Sequence, residues 1–120
     1  RYGFKCYGKT FRLANFRPNS SMNPEAATAY SQNRLTITRQ VAFTSVMKKA
    51  DGKNRRCIID VTLSVNGLPV ATVELKNPLT GQRAADAVNQ YKQDRDERDL
   101  LFAFKKRALV HFAVDPDEVW

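Results

Sequence analysis

The sequence has few of the residues on which zinc sites and disulfide frameworks depend. Its 120 residues include two cysteines, Cys6 and Cys57, without C-x-x-C spacing, and one histidine, His111. This set is too small for a tetrahedral zinc site. We therefore expect both cysteines to be free thiols, as in a reducing cytoplasm. His111 lies in an apolar run, so a packing role is expected for it.

Long apolar runs and targeting segments are also missing. No stretch of about 18 apolar residues occurs, which argues against a helical membrane span, and no signal-peptide pattern opens the sequence. There is no internal repeat or low-complexity segment. With 42% apolar residues, the composition fits one globular domain over residues 1–120, and we expect this domain to be a piece of a longer protein.

Acidic residues are in the minority. Lysine and arginine total 20 against 12 aspartates and glutamates, a formal charge of +8 that favours an anionic partner, most often nucleic acid. Residues 48–56, KKADGKNRR, are a basic connection between two predicted strands. Its candidates for phosphate contact are Lys48, Lys49, Lys53, Arg55 and Arg56. A merely solvated loop has the same composition, so both interpretations stay open.

One stretch near the start matches a nucleotide-binding motif. Residues 3–10, GFKCYGKT, have the P-loop pattern, and Asp60 after an apolar run resembles the acid that accompanies such a loop. A P-loop leads directly into a helix, but the next residues, FRLANFRP, lack a helical period and contain Pro18. Asp60 lies within a predicted strand instead of at its end. We therefore reject nucleotide binding here and expect a packed, basic edge.

The remaining pattern predicts an α/β (α+β) fold with a mixed central sheet flanked by helices. A helix from the Asn23 cap to Gln32 precedes a strand over residues 34–46. Asn66-Gly67 predicts a hairpin between strands 57–65 and 69–76. Thr80 is expected to cap a second helix, and two β segments, LLFAF and ALVHFAV, follow it. The predicted apolar stripe of that helix is Ala84, Ala85, Val88 and Tyr91.

The register of the central hairpin decides which side chains meet. Both strands have their apolar residues at odd positions, so burying these together requires odd to oppose odd. A two-residue turn would oppose odd with even, and we therefore expect a three-residue connection with a glycine bulge. The opposed pairs are then Val61 with Val73, Ile59 with Leu75 and Asp60 with Glu74.

This register predicts that Asp60, Glu74 and Lys76 share one face. Facing carboxylates repel unless a cation lies between them, and a hard divalent ion suits that position. Two acids and a lysine around Mg²⁺ are suited to phosphodiester hydrolysis, with the lysine placed to hold a water molecule or stabilise negative charge. The competing interpretation is a surface salt bridge between Glu74 and Lys76.

The spacing of Asp60 and Glu74-Leu75-Lys76 resembles that of the PD-(D/E)xK nuclease superfamily. A longer resemblance covers nearly the whole chain: YGKTFRLANF, NRLTITRQVAFTS, NGLPVATVELKNPLTGQ, DAVNQYKQDRD and HFAVDPDEVW are similar to the N-terminal endonuclease domain of type I restriction enzyme R subunits. It implies a PD-(D/E)xK core and Mg²⁺-dependent cutting of duplex DNA without sequence specificity of its own. Mn²⁺ is expected to substitute for Mg²⁺.

The resemblance implies site residues position by position. Asp60 and Glu74 match the metal-binding acids, the Leu75 carbonyl matches a further metal ligand, and Lys76 matches the catalytic lysine. Gln90 matches the glutamine of the family's Q-x-x-x-Y pattern on the next helix and is expected in the active site.

Four further residues have expectations of their own. Asp94 stands where the family tyrosine would be, and Tyr91 is expected to pack. Glu25 on the first helix is a candidate third acid near the metal. Arg39 interrupts the apolar face of its strand, which suggests a buried partner or a bound phosphate.

The resemblance also implies partners in the cytoplasm. These are duplex DNA, a specificity subunit and a methyltransferase subunit, with ATP acting only through motor domains elsewhere in the R subunit. Two alternatives stay open: a catalytically silent nucleic-acid-binding module of the same fold, and a stand-alone structure-specific nuclease.

Overall fold

A four-stranded mixed sheet, a separate small hairpin and two helices make up the protein, of which a computed structural model describes residues 4–20, 22–104 and 106–120. The elements are β1 Phe4–Cys6, β2 Lys9–Phe11, α1 Pro24–Ser31, β3 Leu35–Lys48, β4 Asn54–Val65, β5 Leu68–Leu75, a 3₁₀ turn Pro78–Thr80, α2 Ala84–Asp94 and β6 Val110–Val114. Strands β3, β4 and β5 pair antiparallel in that order, and β6 pairs parallel to β5. The predicted mixed α+β architecture is confirmed.

Residues 4–11, which include most of the P-loop-like octapeptide, form a hairpin. Strands β1 and β2 are joined by Tyr7 and Gly8, whose φ angles of +48° and +73° are those of a type I′ turn. Residues 12–20 are irregular, so no helix follows the motif; Gly3 lies outside the described residues. The rejection of a P-loop is confirmed, but the expected packed edge is wrong because the side chains of residues 5–11 are exposed.

The central hairpin has the predicted register, but the extra residue that produces it lies in β5 and not in the turn. Asn66 and Gly67 form a two-residue turn with φ angles of +52° and +83°, so the expected three-residue connection is wrong. The extra residue is Val70, which lies in β5 and shifts the pairing there by one position. Beyond this bulge Val61 opposes Val73, as predicted.

Small side chains make the contact between α2 and the sheet. Helix α2 packs over β5 and β6 and buries Ala84 and Ala87. The predicted stripe is wrong at Ala85, which is exposed, since the spacing that faces the sheet runs through positions 84, 87, 88 and 91. The buried apolar residues of the strands are Cys57, Ile59, Ala71 and Ala113. Cys57 and the exposed Cys6 are both free thiols, as predicted.

The start of α2 is capped by a residue that directly follows β6. Thr80, the predicted cap, instead ends the short 3₁₀ turn. Asp115, which follows β6, accepts a hydrogen bond of 2.8 Å from the backbone N–H of Ala84, the first residue of the helix. This bond and those from two amides in its own loop lower the pKa of Asp115. The cap was not predictable from local sequence because it lies 31 residues away.

Helix α1 stands apart from the sheet. Its predicted cap is confirmed, because the Asn23 side chain accepts a hydrogen bond of 2.9 Å from the Ala26 amide. None of its residues is buried, and it packs against none of the strands in the described ranges. No helix in this part of the chain has the length and apolarity that crossing a membrane requires.

Residues 100–104, LLFAF, form turns instead of the predicted strand. The Phe102 amide donates to the carbonyl of Asp99 at 2.9 Å, which closes a turn. The ring of Phe102 then packs edge-on or tilted against Phe43, Tyr91 and His111, with centroid distances of 5.2–6.2 Å. The segment therefore fills the space between β3 and α2 with an aromatic cluster, and the packing role predicted for His111 is confirmed.

We expect Asp99→Ala to lower the free energy of unfolding by about 2–4 kcal/mol. The Asp99 side chain is buried and accepts hydrogen bonds from the Ser45 hydroxyl at 2.6 Å and the Val46 amide at 2.7 Å. The substitution leaves both donors without an acceptor. Urea denaturation measures the change, and Asp51→Ala in the exposed β3–β4 turn is the control, with a loss below about 1 kcal/mol. Equal losses for the two variants would contradict this role of Asp99.

Candidate active site

Asp60 and Glu74 lie together where β4 and β5 stop pairing. The last regular pair at this end of the ladder is Val61 with Val73. Beyond this pair, the backbone N–H of Leu75 donates a hydrogen bond of 2.8 Å to Oδ2 of Asp60. This hydrogen bond between a side chain and the backbone replaces the regular backbone pairing of the two strands. It holds Asp60 beside the Glu74-Leu75 segment, as the predicted register requires.

Glu74 is buried, and its countercharge is Arg95. Only 2% of the Glu74 side chain and 5% of the Arg95 side chain are exposed. Arg95 donates to Oε1 of Glu74 through Nε at 3.2 Å and also through Nη2, which donates in addition to the Ile58 carbonyl at 3.0 Å. The guanidinium lies 6.0 Å from the ring centroid of Phe43. A surface salt bridge between Glu74 and Lys76 is therefore the wrong interpretation.

The electrostatics of Glu74 reflect this crowded position. Burial raises the pKa of Glu74, while the hydrogen bonds and positive charge of Arg95 lower it. The Asp60 charge raises the same pKa further, and Lys76 lowers it slightly. No hydrogen bond in the described part of the chain involves Oε2 of Glu74, since Arg95 uses Oε1 alone. Oε2 is therefore the oxygen that remains for another cation.

Lys76 and Gln90 come together across the gap between β5 and α2. The Lys76 ammonium donates a hydrogen bond of 2.6 Å to Oε1 of Gln90. The next helical residue, Tyr91, turns to the core, where its hydroxyl lies 2.9 Å from Oγ1 of Thr72. The packing role expected for Tyr91 is confirmed, and Gln90 is the residue that fixes the lysine.

Gln40 of β3 also reaches Asp60, and no local sequence pattern pointed to it. Its side chain donates a hydrogen bond of 3.1 Å to Oδ1 of Asp60, so that both carboxylate oxygens accept a hydrogen bond. Its φ is +53°, a left-handed conformation that is rare for a non-glycine residue within a strand. Pairing of Val41 with Ile59 sets Gln40 opposite Asp60. A prediction of the β3–β4 register would therefore have placed Gln40 beside Asp60.

The oxygen atoms in this cluster suit a hard divalent cation. Asp60, Oε2 of Glu74 and the Leu75 carbonyl resemble the sparse oxygen sets that hold Mg²⁺, which keeps several of its waters. Residues 4–20, 22–104 and 106–120 contain no group of three or more His, Cys, Asp and Glu side chains able to hold a metal. A third acid is thus not part of the cluster. The expectation for Glu25 is wrong, because it lies on α1, which does not pack on the sheet.

The predicted phosphate contacts lie mostly at the far end of the β3–β4 hairpin. Lys48 contacts Asn54, and Lys53 pairs with Asp51 at 3.6 Å. Arg55 forms an ion pair of 2.9 Å with Asp94, which explains why Asp94 takes no part in the acidic cluster. Lys49 and Arg56 are exposed. Six residues of β4 separate this end from Asp60, a distance of about 20 Å.

Arg39 is exposed, so the buried partner expected for it is wrong. The surrounding part of β3 is uncovered, with Leu35 and Ile37 exposed to 77% and 73%. The apolar face that Arg39 interrupts in the sequence is therefore not a buried face at this position.

Comparison with known proteins assigns the chain to a family. The fold and the cluster define a mixed α+β domain with two carboxylates and a lysine at the end of its central hairpin. The family model described as type I restriction enzyme R protein N terminus matches residues 14–120, and the chain belongs to this family. Membership associates the domain with a restriction-modification complex. No curated protein and no solved structure matched the chain.

Tyr91 gives the core beside the cluster a measurable pH dependence. Burial raises the pKa of Tyr91 to about 12, against about 10 for an exposed tyrosine. The folded state favours the neutral phenol. The contribution of this preference to the free energy of unfolding is fully present below pH ~10 and is lost as pH rises towards about 12. We expect urea denaturation across this range to show a decline that Tyr91→Phe lacks. Parallel curves for wild type and variant would contradict the assignment.

Proposed function

We propose that the domain is a Mg²⁺-dependent endonuclease of a type I restriction enzyme R subunit. It would hydrolyse phosphodiester bonds of duplex DNA without sequence specificity of its own. The observation that carries this proposal is the meeting of Asp60 with the buried Glu74, with Lys76 two residues after Glu74 in the chain. A PD-(D/E)xK core belongs to the proposal, supported by acids on an antiparallel hairpin with a helix packed behind it.

Each residue of the cluster has a separate task in this proposal. Asp60, Glu74 and the Leu75 carbonyl would hold the ion, which when bound would polarise the phosphoryl group and lower the pKa of the attacking water. Lys76 would orient that water or stabilise negative charge on the phosphate. Gln90, hydrogen-bonded to the lysine, would limit the directions in which the ammonium points.

Duplex DNA would be held by charge and not by base contacts. The exposed lysines of the β3–β4 turn and Arg39 lie on the edge strand β3 or beside it, within about 20 Å of the acids. That separation is similar to the width of a duplex, so phosphates could be gripped on one side of the scissile bond. Sequence recognition would come from the specificity subunit, with a methyltransferase subunit beside it, and ATP would act through motor domains elsewhere in the R subunit.

A catalytically silent nucleic-acid-binding module is the second candidate, and one observation favours it. Arg95 already neutralises Glu74, so this carboxylate needs no metal for charge balance. In that case the acids would be scaffold, and only the basic surface would act.

Metal binding separates the two candidates. We expect calorimetry to detect Mn²⁺ binding by this chain, and we expect Asp60→Asn to abolish it because one of only two carboxylate ligands loses its charge. Glu25→Gln, a change to an exposed acid on α1, is the control and should bind as wild type does. In the assembled restriction complex with ATP, Asp60→Asn should stop cutting while DNA binding persists. Millimolar Mn²⁺ without saturable binding to wild type would favour the silent module.

The basic turn can be tested by the salt dependence of DNA binding. The logarithm of the DNA-binding constant falls as the logarithm of the salt concentration rises. If Lys48, Lys49 and Lys53 each contact a phosphate, their joint replacement by alanine should make this slope less steep by about 2.7, or about 0.9 per contact. Replacing Lys5 and Lys9 of the β1–β2 hairpin together with Arg12, which directly follows it, removes the same charge elsewhere. Equal changes for both triple variants would mean that only net charge matters.

A further inference from the structure

Arg95 is a buried charge to which the proposed reaction gives no task. It directly follows α2 and its side chain is 5% exposed, although a buried guanidinium is costly unless its hydrogen bonds are satisfied. A buried guanidinium is tolerated only where neighbouring groups accept its hydrogen bonds and balance its charge. Its neighbours here belong to the strands that carry the acidic cluster.

Contacts from three different strands hold Arg95 in place. Glu74 of β5 accepts two of its N–H groups, the Ile58 carbonyl of β4 accepts a hydrogen bond of 3.0 Å, and the ring of Phe43 on β3 lies under the guanidinium. Moving Arg95 out would break all of these contacts at once. The guanidinium is therefore a fixed part of the cluster and not a side chain that swings away when a cation arrives.

The geometry of the ion pair leaves one oxygen of Glu74 for another partner. Both donors of Arg95 converge on Oε1, and no hydrogen bond among the described residues uses Oε2. Fixing one oxygen of a carboxylate also fixes the direction of the other. Asp60 is held in a comparable way, with Oδ2 on the Leu75 amide and Oδ1 on Gln40.

We propose that Arg95 is a positioning residue that acts through Glu74, holding Oε1 so that Oε2 is presented to a divalent cation shared with Asp60. This inference rests on the proposed function. Carboxylates that ligate metals are themselves commonly hydrogen-bonded by outer groups, whose loss weakens metal binding by about 10–100-fold. The opposite role would be that of a competitor, in which the Arg95 charge keeps the cation out.

The two roles give opposite signs for one measurement, the Mn²⁺ affinity of the 120-residue chain. Arg95→Met removes the charge and the hydrogen bonds but keeps much of the volume, and we expect it to weaken Mn²⁺ binding by about 10–100-fold. Arg95→Lys keeps the charge beside Glu74 but loses the fork of donors, so it should also bind Mn²⁺ more weakly than wild type. The lysine variant answers the question by itself if the methionine variant does not fold.

Two controls separate positioning from general loss of stability. Asp99→Ala destabilises the segment that follows Arg95 without touching Glu74, and Arg98→Met removes a nearby arginine whose side chain is 74% exposed. Both should keep Mn²⁺ affinity within about twofold of wild type, measured where each variant is folded. A similar loss of affinity in Asp99→Ala would overturn the inference by making the effect structural.

Failure of the inference is distinct from failure of the proposed function. Wild-type affinity, or tighter binding, in the folded Arg95 variants overturns the positioning role while the metal site stands. Absence of Mn²⁺ binding in wild type overturns the metal site itself and the positioning role with it.

Discussion

A single extra residue in β5 decides which side chains surround Glu74. Val70 shifts the pairing of β4 and β5 by one position, and without it every residue of β5 after position 70 would point to the other face. With it, Glu74 lies beside Asp60 and beneath Arg95. The composition of the acidic cluster, its burial and its contact with α2 all depend on this bulge.

The cluster is assembled from several elements, each of which holds one charged group. Strand β3 supplies Gln40 to Asp60, α2 supplies Gln90 to Lys76, and the residue after α2 supplies Arg95 to Glu74. Acids held in this way are oriented before any ligand arrives, which lowers the cost of organising a metal or a phosphate at the site. The uncommon backbone of Gln40 is consistent with a local conformation kept for function.

Sequence patterns predicted the parts of the site that depend on alternation along a strand. The apolar period of β4 and β5 was enough to oppose Val61 with Val73 and so to bring Asp60 to Glu74. The location of the inserted residue was not predictable, because Asn66-Gly67 satisfies a two-residue turn locally and gives no sign of a bulge further along.

Long-range contacts account for most of the remainder. Arg95 lies in the charged run DRDERD, which resembles a solvated segment, and only the tertiary fold reveals that it is buried. The cap of α2 comes from Asp115, and the apolar LLFAF becomes a turn because Asp99 is drawn to Ser45. In each case a carboxylate or guanidinium binds a group that is distant in the sequence. Local sequence propensity contains no information on such contacts.

The most direct test of the account is to locate the ion. Crystals of the chain soaked in Mn²⁺ and measured at a wavelength that gives anomalous scattering from manganese would show its position. The account predicts one peak about 2.0–2.5 Å from a carboxylate oxygen of Asp60 and from Oε2 of Glu74, with Arg95 still on Oε1. A map with no peak between these acids, although they are free of lattice contacts, would contradict a metal-dependent nuclease site on this hairpin.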